Sequence, residues 1–327
     1  MTVLPEFAIL APRTVADALA ARRERPTARF LAGGTDLLAA ARRGLSDCDL
    51  VIDLGGVGEL SGIAEKDGAL RIGAGATLAG IEADPLVARH APVLAAAARA
   101  VAAPAHRTVA TLGGNLCLDT RCTYYNQSDW WRGANGYCLK LKGTVCHVAP
   151  TGNRCHAAFS GDLAPALLAL DARVEIAGEA GRRTVPLGEL YREDGRAYLT
   201  LASGELVVAA HVPLTPALAA DYAKARLRGA VDFPLAGVAV ALRRAGGRLA
   251  ALRVALTGTN SRPFLLAGTE ALVGRAPDDA ALDLLEKLVQ KQVSPMRTTL
   301  TPAHYRRRVA AALARRLTRR VFDAAAP

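Results

Sequence analysis

Cysteines are concentrated in one central window of the chain. Five of the six cysteines in the 327 residues lie between positions 111 and 171, namely Cys117, Cys122, Cys138, Cys146 and Cys155. The window starts with the glycine turn TLGGN (111–115) and ends with the apolar, helix-like run GDLAPALLALDA (161–172). In a reducing compartment, clustered cysteines are more often metal ligands or reactive thiols than disulfides. The window therefore predicts a bound group.

The spacing of the last four cysteines narrows the kind of group. They are separated by 15, 7 and 8 residues, in a segment without helical or strand periodicity. Structural zinc sites usually use close cysteine pairs, and only Cys117 and Cys122 approach that pattern. Single thiolates on a long loop suit an iron–sulfur cluster better, although the compact ferredoxin spacing is also missing. An iron–sulfur cluster is favoured over a zinc site, and free thiols without a bound metal remain an open alternative. His147 and His156 are interpreted as loop residues.

Two glycine turns have the composition of nucleotide-binding loops. FLAGGTD (30–36) follows a short strand and precedes a helix that Thr35 or Asp36 is placed to cap. DLVIDL (49–54) then completes a compact βαβ unit. Glycine lets backbone N–H groups approach a phosphate closely, but neither this turn nor TLGGN is a dinucleotide fingerprint or a P-loop. Together, in separate sub-domains, they predict a clamp on the two ends of a dinucleotide.

Length and charge limit the remaining possibilities. The length favours two or three domains, and the start of the chain lacks the features of a signal peptide. No apolar run approaches about 20 residues, so we expect a soluble cytoplasmic protein without membrane contact. The formal net charge of +11 favours an acidic partner. Much of the surplus lies in residues 304–320, which predict a solvated helix face rather than a nucleic-acid site.

The second half of the chain alternates strands and helices. Before the cysteine window, residues 92–102 predict an alanine-rich helix. After it, residues 163–177 predict a helix running into a strand, 182–194 a surface hairpin, and 205–213 a strand closed by proline. A proline-bearing linker at 214–219 predicts a boundary, after which strands alternate over 220–266. Helices at 277–292 and 302–322 complete a C-terminal α+β domain.

Several segments resemble, in order, the FAD-binding medium subunits of the molybdenum hydroxylases, the class of xanthine dehydrogenase and carbon monoxide dehydrogenase. They are AGGTD (32–36), RTVATLGGN (107–115), GDLAPALLALDA (161–172), KARLRGAVDFPLAGVAVAL (224–242) and SPMRTTLTPAHYRRRV (294–309). The resemblance implies an α+β fold, with a two-part FAD-binding region of the PCMH type at 1–57 and 58–215 and a C-terminal α+β domain at 216–327. It covers nearly the whole chain.

The resemblance also implies where FAD lies, between the first two sub-domains. Backbone donors of the first turn would hold the pyrophosphate: Phe30, Leu31, Ala32, Gly33, Gly34, Thr35 and Asp36. The second turn would contact the other side through Thr111, Leu112, Gly113, Gly114 and Asn115. Val101, Asp162 and Lys224 match positions that contact the flavin or its ribityl and adenosine parts. Val101 as helix core and Lys224 as a surface cation remain alternatives.

This chain departs from most of the family in one place. Asn115 and the aspartate of the next motif, Asp162, are 47 positions apart, and the excess is a cysteine-bearing loop insertion at about 119–160. It resembles the insertion of the family's aromatic thioester reductases, which implies a [4Fe–4S] cluster on Cys122, Cys138, Cys146 and Cys155. Cys117 is excluded because its segment also occurs in relatives without the insertion, and Cys48 is interpreted as a core thiol.

The implied role is electron transfer, without a catalytic side chain in this subunit. The implied partners are a large subunit with the molybdenum cofactor, a small subunit with two [2Fe–2S] clusters, and reduced ferredoxin as the electron donor. A dimer of such three-subunit units is expected. The alternatives are the FAD subunit of another molybdenum hydroxylase and a flavin-free binding protein with a zinc loop.

Overall fold

The N-terminal part is a small parallel sheet with two helices. The computed structural model describes residues 4–214, 218–298 and 300–325. This part consists of β1 (Ala8–Leu10), α1 (Val15–Glu24), β2 (Arg29–Leu31), α2 (Leu37–Arg42) and β3 (Leu50–Asp53). The strands run parallel in the order β1-β3-β2. The predicted βαβ unit is therefore confirmed.

The middle part carries an antiparallel sheet and a group of short helices. The sheet has the order β4-β5-β8-β6-β7 and contains β4 (Ile63–Lys66), β5 (Ala69–Gly73), β6 (Arg173–Gly178), β7 (Gly181–Pro186) and β8 (Leu206–Pro213). The helices are α3 (Leu78–Ala83), α4 (Pro85–His90), α5 (Pro92–Arg99), α6 (Pro104–Arg107), α7 (Leu112–Leu116) and, after the insertion, α9 (Leu163–Ala169). Every residue of α9 is buried, so this helix forms the centre of the part.

Two predictions in the middle part need correction. The predicted hairpin at 182–194 is displaced, because β7 pairs with the preceding strand β6 across a turn at Gly178 and Gly181. The helix predicted from 92 onward ends at Arg99 and does not reach Ala102. Ala102 has a φ of +42°, a left-handed backbone conformation that a right-handed helix cannot include.

The C-terminal part is a second antiparallel sheet covered by two helices. Its order is β12-β11-β10-β9, from β9 (Ala219–Ala225), β10 (Ala236–Ala245), β11 (Arg248–Thr257) and β12 (Phe264–Leu265). The predicted helices are α10 (Asp279–Gln292) and α11 (Ala303–Ala324), and they share an apolar core with this sheet. Residues 215–217 of the predicted linker lie outside the described residues, and the domain boundaries stay predictions.

Helix α11 is solvated along most of its basic face, as predicted, with one exception. Arg306 is 3% exposed, and its guanidinium donates to the carbonyl oxygens of Leu235, Met296 and Gly258. Burial lowers the pKa of Arg306 to about 10. Arg306 thus fixes α11 to the sheet. Among the described residues, no helix is long and apolar enough to cross a membrane.

The cysteine-bearing insertion leaves the middle part after α7 and returns before α9. Its base is closed by two backbone hydrogen bonds between Arg121 and Ala158, of 2.9 and 2.8 Å. The sequence predicted no regular structure here, but one short helix forms, α8 (Asp129–Ala134), where the Ser128 hydroxyl accepts from the amide of Trp131. A serine N-cap is the local feature that could have indicated it.

Candidate functional site: a dinucleotide cavity beside a cysteine loop

A large cavity lies where the three parts of the chain meet. Its volume is about 1360 Å³, more than the roughly 300–1,000 Å³ of an ordinary small-ligand pocket. All but one of the residues predicted to bind the cofactor line it: Phe30, Leu31, Ala32, Gly33, Gly34, Thr35, Asp36, Val101, Thr111, Gly113, Gly114, Asn115, Asp162 and Lys224. The fold therefore brings together residues that are almost 200 positions apart in the sequence.

Leu112 is the exception among the predicted cofactor residues. It is fully buried in the main apolar core, and its amide donates to the carbonyl oxygen of Ala76 at 2.9 Å. Leu112 is the first residue of α7 and the only bulky apolar side chain in the TLGGN turn, so burial against the core is its favourable position. Its predicted contact with the cofactor stays a prediction.

The first glycine turn has backbone donors available for a ligand. Within the described part of the chain, the amides of Gly33, Gly34, Thr35 and Asp36 have no protein acceptor. Gly34 adopts a φ of +70°, which glycine reaches without steric cost. A Cβ added at Gly33 would lie 1.9 Å from the carbonyl oxygen of Val109. Consecutive unpaired amides in a turn form a typical anion-binding concavity.

The second glycine turn lines the cavity but uses its amides within the protein. The amide of Gly113 donates to Ala74 O at 2.7 Å, and that of Asn115 to Thr111 O at 2.9 Å. The amide of Gly114 donates to the Thr111 hydroxyl, which caps α7. These donors are already used within the protein. The glycines here permit close packing, since a Cβ at Gly113 would approach that of Ala74 to 2.9 Å. The turn supplies a cavity wall rather than amide donors.

A buried ion pair joins the middle and C-terminal parts at the cavity. The Lys224 ammonium lies 2.9 Å from the Asp162 carboxylate, and both side chains are only 4% exposed. Tyr222 donates to the other carboxylate oxygen at 2.5 Å, and Lys224 also donates to Ala100 O. Burial raises the pKa of Asp162, while Lys224 and Tyr222 act in the opposite direction. Lys224 is therefore not the surface cation of the alternative interpretation.

We expect Lys224→Met to destabilise the FAD-free protein by about 3 kcal/mol, because it leaves the Asp162 carboxylate buried without its counter-ion. Chemical denaturation measures the change. Arg253→Met is the matched control: its pair with Asp171 has the same kind of contact at 3.0 Å but is 38% and 70% exposed, so a loss below about 1 kcal/mol is expected. Equal losses in the two variants would contradict a special role for the buried pair.

Three charged residues of the insertion line the cavity and were not identified from the sequence. Asp36 occupies the N-cap position of α2 but makes no capping bond with its side chain. Its carboxylate accepts from Arg121 Nη2 at 2.7 Å. Lys140, 6% exposed, donates to Asp119, Thr120 and Gly195 at 2.6–2.7 Å. Arg121, Asp119 and Lys140 all belong to the insertion and line the cavity. In the sequence, the charged residues among the insertion's aromatic side chains are the feature that could have suggested that the insertion contributes to the cavity wall.

The four predicted cluster ligands all occupy buried positions in the insertion. Cys122, Cys138, Cys146 and Cys155 are buried, with exposed fractions of 4–9%. Burial raises the pKa of Cys122 to about 11, and the charges of Cys138 and Cys146 contribute. Burial likewise raises that of Cys155 to about 12, with contributions from Cys122 and Cys146. Each thiol therefore lies within electrostatic range of at least one other.

Two of these sulfur atoms already accept backbone hydrogen bonds. The amide of Tyr125 lies 3.2 Å from Cys122 Sγ, and that of Ala157 lies 3.4 Å from Cys155 Sγ. Such bonds stabilise thiolates and tune iron–sulfur centres. In the ranges that the structure covers, no three His, Cys, Asp or Glu side chains are close enough to hold one metal ion. His147 Nε2 donates to Tyr137 O, as a loop residue would.

Comparison with known proteins identifies the family. Residues 5–215 match the family described as "FAD binding domain in molybdopterin dehydrogenase", and residues 220–321 match "CO dehydrogenase flavoprotein C-terminal domain". The chain belongs to the FAD-binding subunits of the molybdenum hydroxylases. It is accordingly a flavoprotein subunit of an oxidoreductase. Relatives confirm the assignment: the putative xanthine dehydrogenase FAD-binding subunit XdhB of Escherichia coli K12 is 31% identical over 286 residues, covering 86% of this chain and 84% of the relative.

Similarity to a solved member extends over the whole fold. The carbon monoxide dehydrogenase medium chain of Afipia carboxidovorans is 28% identical, with 94% of each chain covered. The crystal structure of a Cu,Mo-CO dehydrogenase in its cyanide-inactivated form superposes with a TM-score of 0.82 and 26% identity, covering 98% of this chain and 99% of that one. The predicted two-part FAD-binding region with a C-terminal α+β domain is confirmed.

Proposed function

We propose that this FAD subunit belongs to a 4-hydroxybenzoyl-CoA reductase and passes electrons between a [4Fe–4S] cluster on Cys122, Cys138, Cys146 and Cys155 and FAD. The observation that carries the proposal is the burial of all four cysteines on one insertion, two of which, Cys122 and Cys155, lie in a single cluster with the cavity residues Ala40 and Tyr125. FAD exchanges one or two electrons, whereas an iron–sulfur cluster exchanges one, so together they connect a one-electron donor to two-electron chemistry.

The cavity residues fit FAD. The unpaired amides of 33–36 suit the diphosphate, and the Asp162–Lys224 pair lies at another wall of the same cavity. The volume and the length of this lining suit an extended dinucleotide rather than a mononucleotide. We infer that the first turn holds the diphosphate, while the second turn and Val101 enclose the remainder.

The thiol set fits a group larger than one ion. Four buried sulfurs, two of them with backbone donors, provide the ligand number of a [4Fe–4S] cluster. One residue contacts both sites: Tyr125 donates its amide to Cys122 Sγ, and its side chain lines the cavity. Only two residues separate Cys122 from Tyr125 along the chain. A connection of this length supports electron transfer between cluster and flavin.

In this proposal the chemistry occurs on partner subunits. 4-Hydroxybenzoyl-CoA takes up two electrons and two protons, the para C–O bond breaks, and benzoyl-CoA and water leave. A large subunit with the molybdenum cofactor would hold the substrate, and a small subunit with two [2Fe–2S] clusters would relay electrons from the FAD. Two such three-subunit units would form the enzyme, in the cytoplasm, with reduced ferredoxin as donor.

The surface of the insertion is more apolar than its composition suggests. Arg121, Arg132 and Lys140 are directed inward and donate to protein acceptors, so they display little charge. Trp130 is 79% exposed and Val145 41%, and Lys142 is an exposed cation near them in sequence. We infer that ferredoxin docks on this surface through Trp130, with a smaller electrostatic contribution than the net charge of +11 implies.

We expect Trp130→Ala to raise the KM for reduced ferredoxin by about tenfold in the assembled enzyme, because an exposed tryptophan is a typical interface anchor. Iron and FAD contents should not change. Leu265→Ala, which removes another exposed apolar side chain (45% exposed) from strand β12, is the control and should leave the KM unchanged. An unaltered KM in Trp130→Ala would exclude this docking surface.

The proposed reaction is tested with the three-subunit enzyme and reduced ferredoxin. Formation of benzoyl-CoA from 4-hydroxybenzoyl-CoA supports the proposal, and it should fail when the electron donor is omitted. The alternative is the FAD subunit of a hydroxylase, which the similarity to the xanthine dehydrogenase subunit favours. Oxidation of an N-heterocycle or other aromatic substrate with an electron acceptor, without reductase activity, would establish that alternative.

A further inference from the structure

The insertion is attached to the segment that carries the first glycine turn. Arg121 Nη2 donates to the Asp36 carboxylate at 2.7 Å, before α2. After α2, the Tyr125 hydroxyl donates to Leu45 O at 3.1 Å and Arg132 Nη2 to Gly44 O at 3.1 Å. These contacts fix both ends of α2. The position of the first glycine turn therefore depends on contacts with the insertion.

The charge of Asp36 presents a difficulty for anion binding at this turn. Its side chain is 29% exposed, and its own amide is one of the four unpaired donors. An uncompensated carboxylate this close would repel the diphosphate of FAD. Arg121, whose side chain is 9% exposed, is the cation that pairs with it.

We propose that Arg121 is a positioning residue for FAD: by neutralising Asp36 and holding it away from the unpaired amides, it makes the first turn acceptable to a diphosphate. This inference rests on the proposed placement of the diphosphate at residues 33–36. Lys140, another cation of the insertion that lines the cavity, is paired with Asp119 at 2.7 Å. Arg121 is therefore the cation that neutralises Asp36. The Arg121 guanidinium also lies 5.9 Å from the centre of the Tyr125 ring.

Arg121 is held independently of the cysteines. Its amide donates to Ala158 O and its carbonyl accepts from Ala158 N, so the base of the insertion keeps its place when a thiol is altered. The effect of Arg121 on FAD can consequently be separated from cluster assembly. The FAD Kd therefore tests the role of Arg121, and the iron content tests the cluster of the reductase proposal.

The test is a double-mutant cycle on the full chain after FAD removal, with the FAD Kd measured by quenching of flavin fluorescence. We expect Arg121→Met to raise the Kd by about tenfold, a typical coupling between charges at a site. Adding Asp36→Asn to that variant should restore most of the affinity, because the repelling charge is gone. Arg121→Lys, which keeps the positive charge, should stay within a few-fold of the parent.

The control pair is Arg25 and Asp49, which also form an ion pair of 3.0 Å in the N-terminal part but do not line the cavity. Arg25→Met should leave the Kd unchanged. If Arg121→Met lowers affinity and Asp36→Asn does not restore it, or if the Kd is insensitive to Arg121, the inference is wrong. If Arg121→Met does not fold, equal FAD affinity in the parent and Arg121→Lys supports the inference, and a tenfold loss in Arg121→Lys overturns it. Iron content decides the cluster proposal separately.

Discussion

Replacing Cys138 with serine is expected to remove iron and acid-labile sulfide from the subunit while leaving FAD bound. Cys138 is 7% exposed and lies in a tight turn, where its carbonyl accepts from the amides of Leu141 and Gly143. Serine fits that turn but supplies a much poorer ligand for iron than a thiolate. The flavin should remain because Cys138 does not line the cavity.

Anaerobic purification, a visible spectrum and determination of iron, sulfide and flavin measure this effect. The parent should contain about four irons and one FAD per chain. Cys48→Ser is the matched control, because Cys48 is also buried, at 9% exposed, but lies in the N-terminal part. It should retain both cofactors. If the parent contains flavin but no iron, the protein is the FAD subunit of an ordinary molybdenum hydroxylase. The family assignment would not change.

The second large effect is expected from Gly33→Ala, which should abolish FAD binding at micromolar flavin. An added Cβ would lie 1.9 Å from Val109 O and 2.8 Å from the amide nitrogen of Ala110. Both neighbours are backbone atoms, so relief requires a displacement of the turn or of the segment after α6. A displacement of the turn moves the unpaired amides of 33–36 that we assign to the diphosphate, and a displacement of the other segment moves Val109 and Ala110, which also line the cavity. Overpacking of this kind also costs about 1–3 kcal/mol of stability.

Flavin titration and thermal unfolding separate the two consequences of Gly33→Ala. Gly58→Ala is the control: a Cβ there meets nothing within 4 Å, so both FAD affinity and the unfolding temperature should be close to the parent values. If Gly33→Ala binds FAD normally while its unfolding temperature falls, the turn is required for packing and does not hold the diphosphate. Normal values for both quantities would contradict the close approach of the two segments.

The sequence by itself determined most of the elements and the two glycine turns that line the cavity. The βαβ unit, the two glycine turns, the C-terminal sheet and both final helices follow from apolar periodicity, capping residues and glycine positions, which depend on near neighbours. The same local patterns support the family resemblance. Four cysteines on a loop without zinc-type pairs also indicated a candidate cluster. These features could be predicted because each is encoded within a short stretch of chain.

The tertiary structure decided how those elements use their polar groups. Asp36 could be expected to cap α2, but Arg121, 85 positions away, takes its carboxylate. Leu112 enters the core, and the amides of the TLGGN turn bond to Ala74, Ala76 and Thr111 instead of facing a ligand. Arg121, Arg132 and Lys140 of the insertion are directed inward. A pairing of this kind depends on which distant segments the fold brings into contact, and no local pattern specifies that choice.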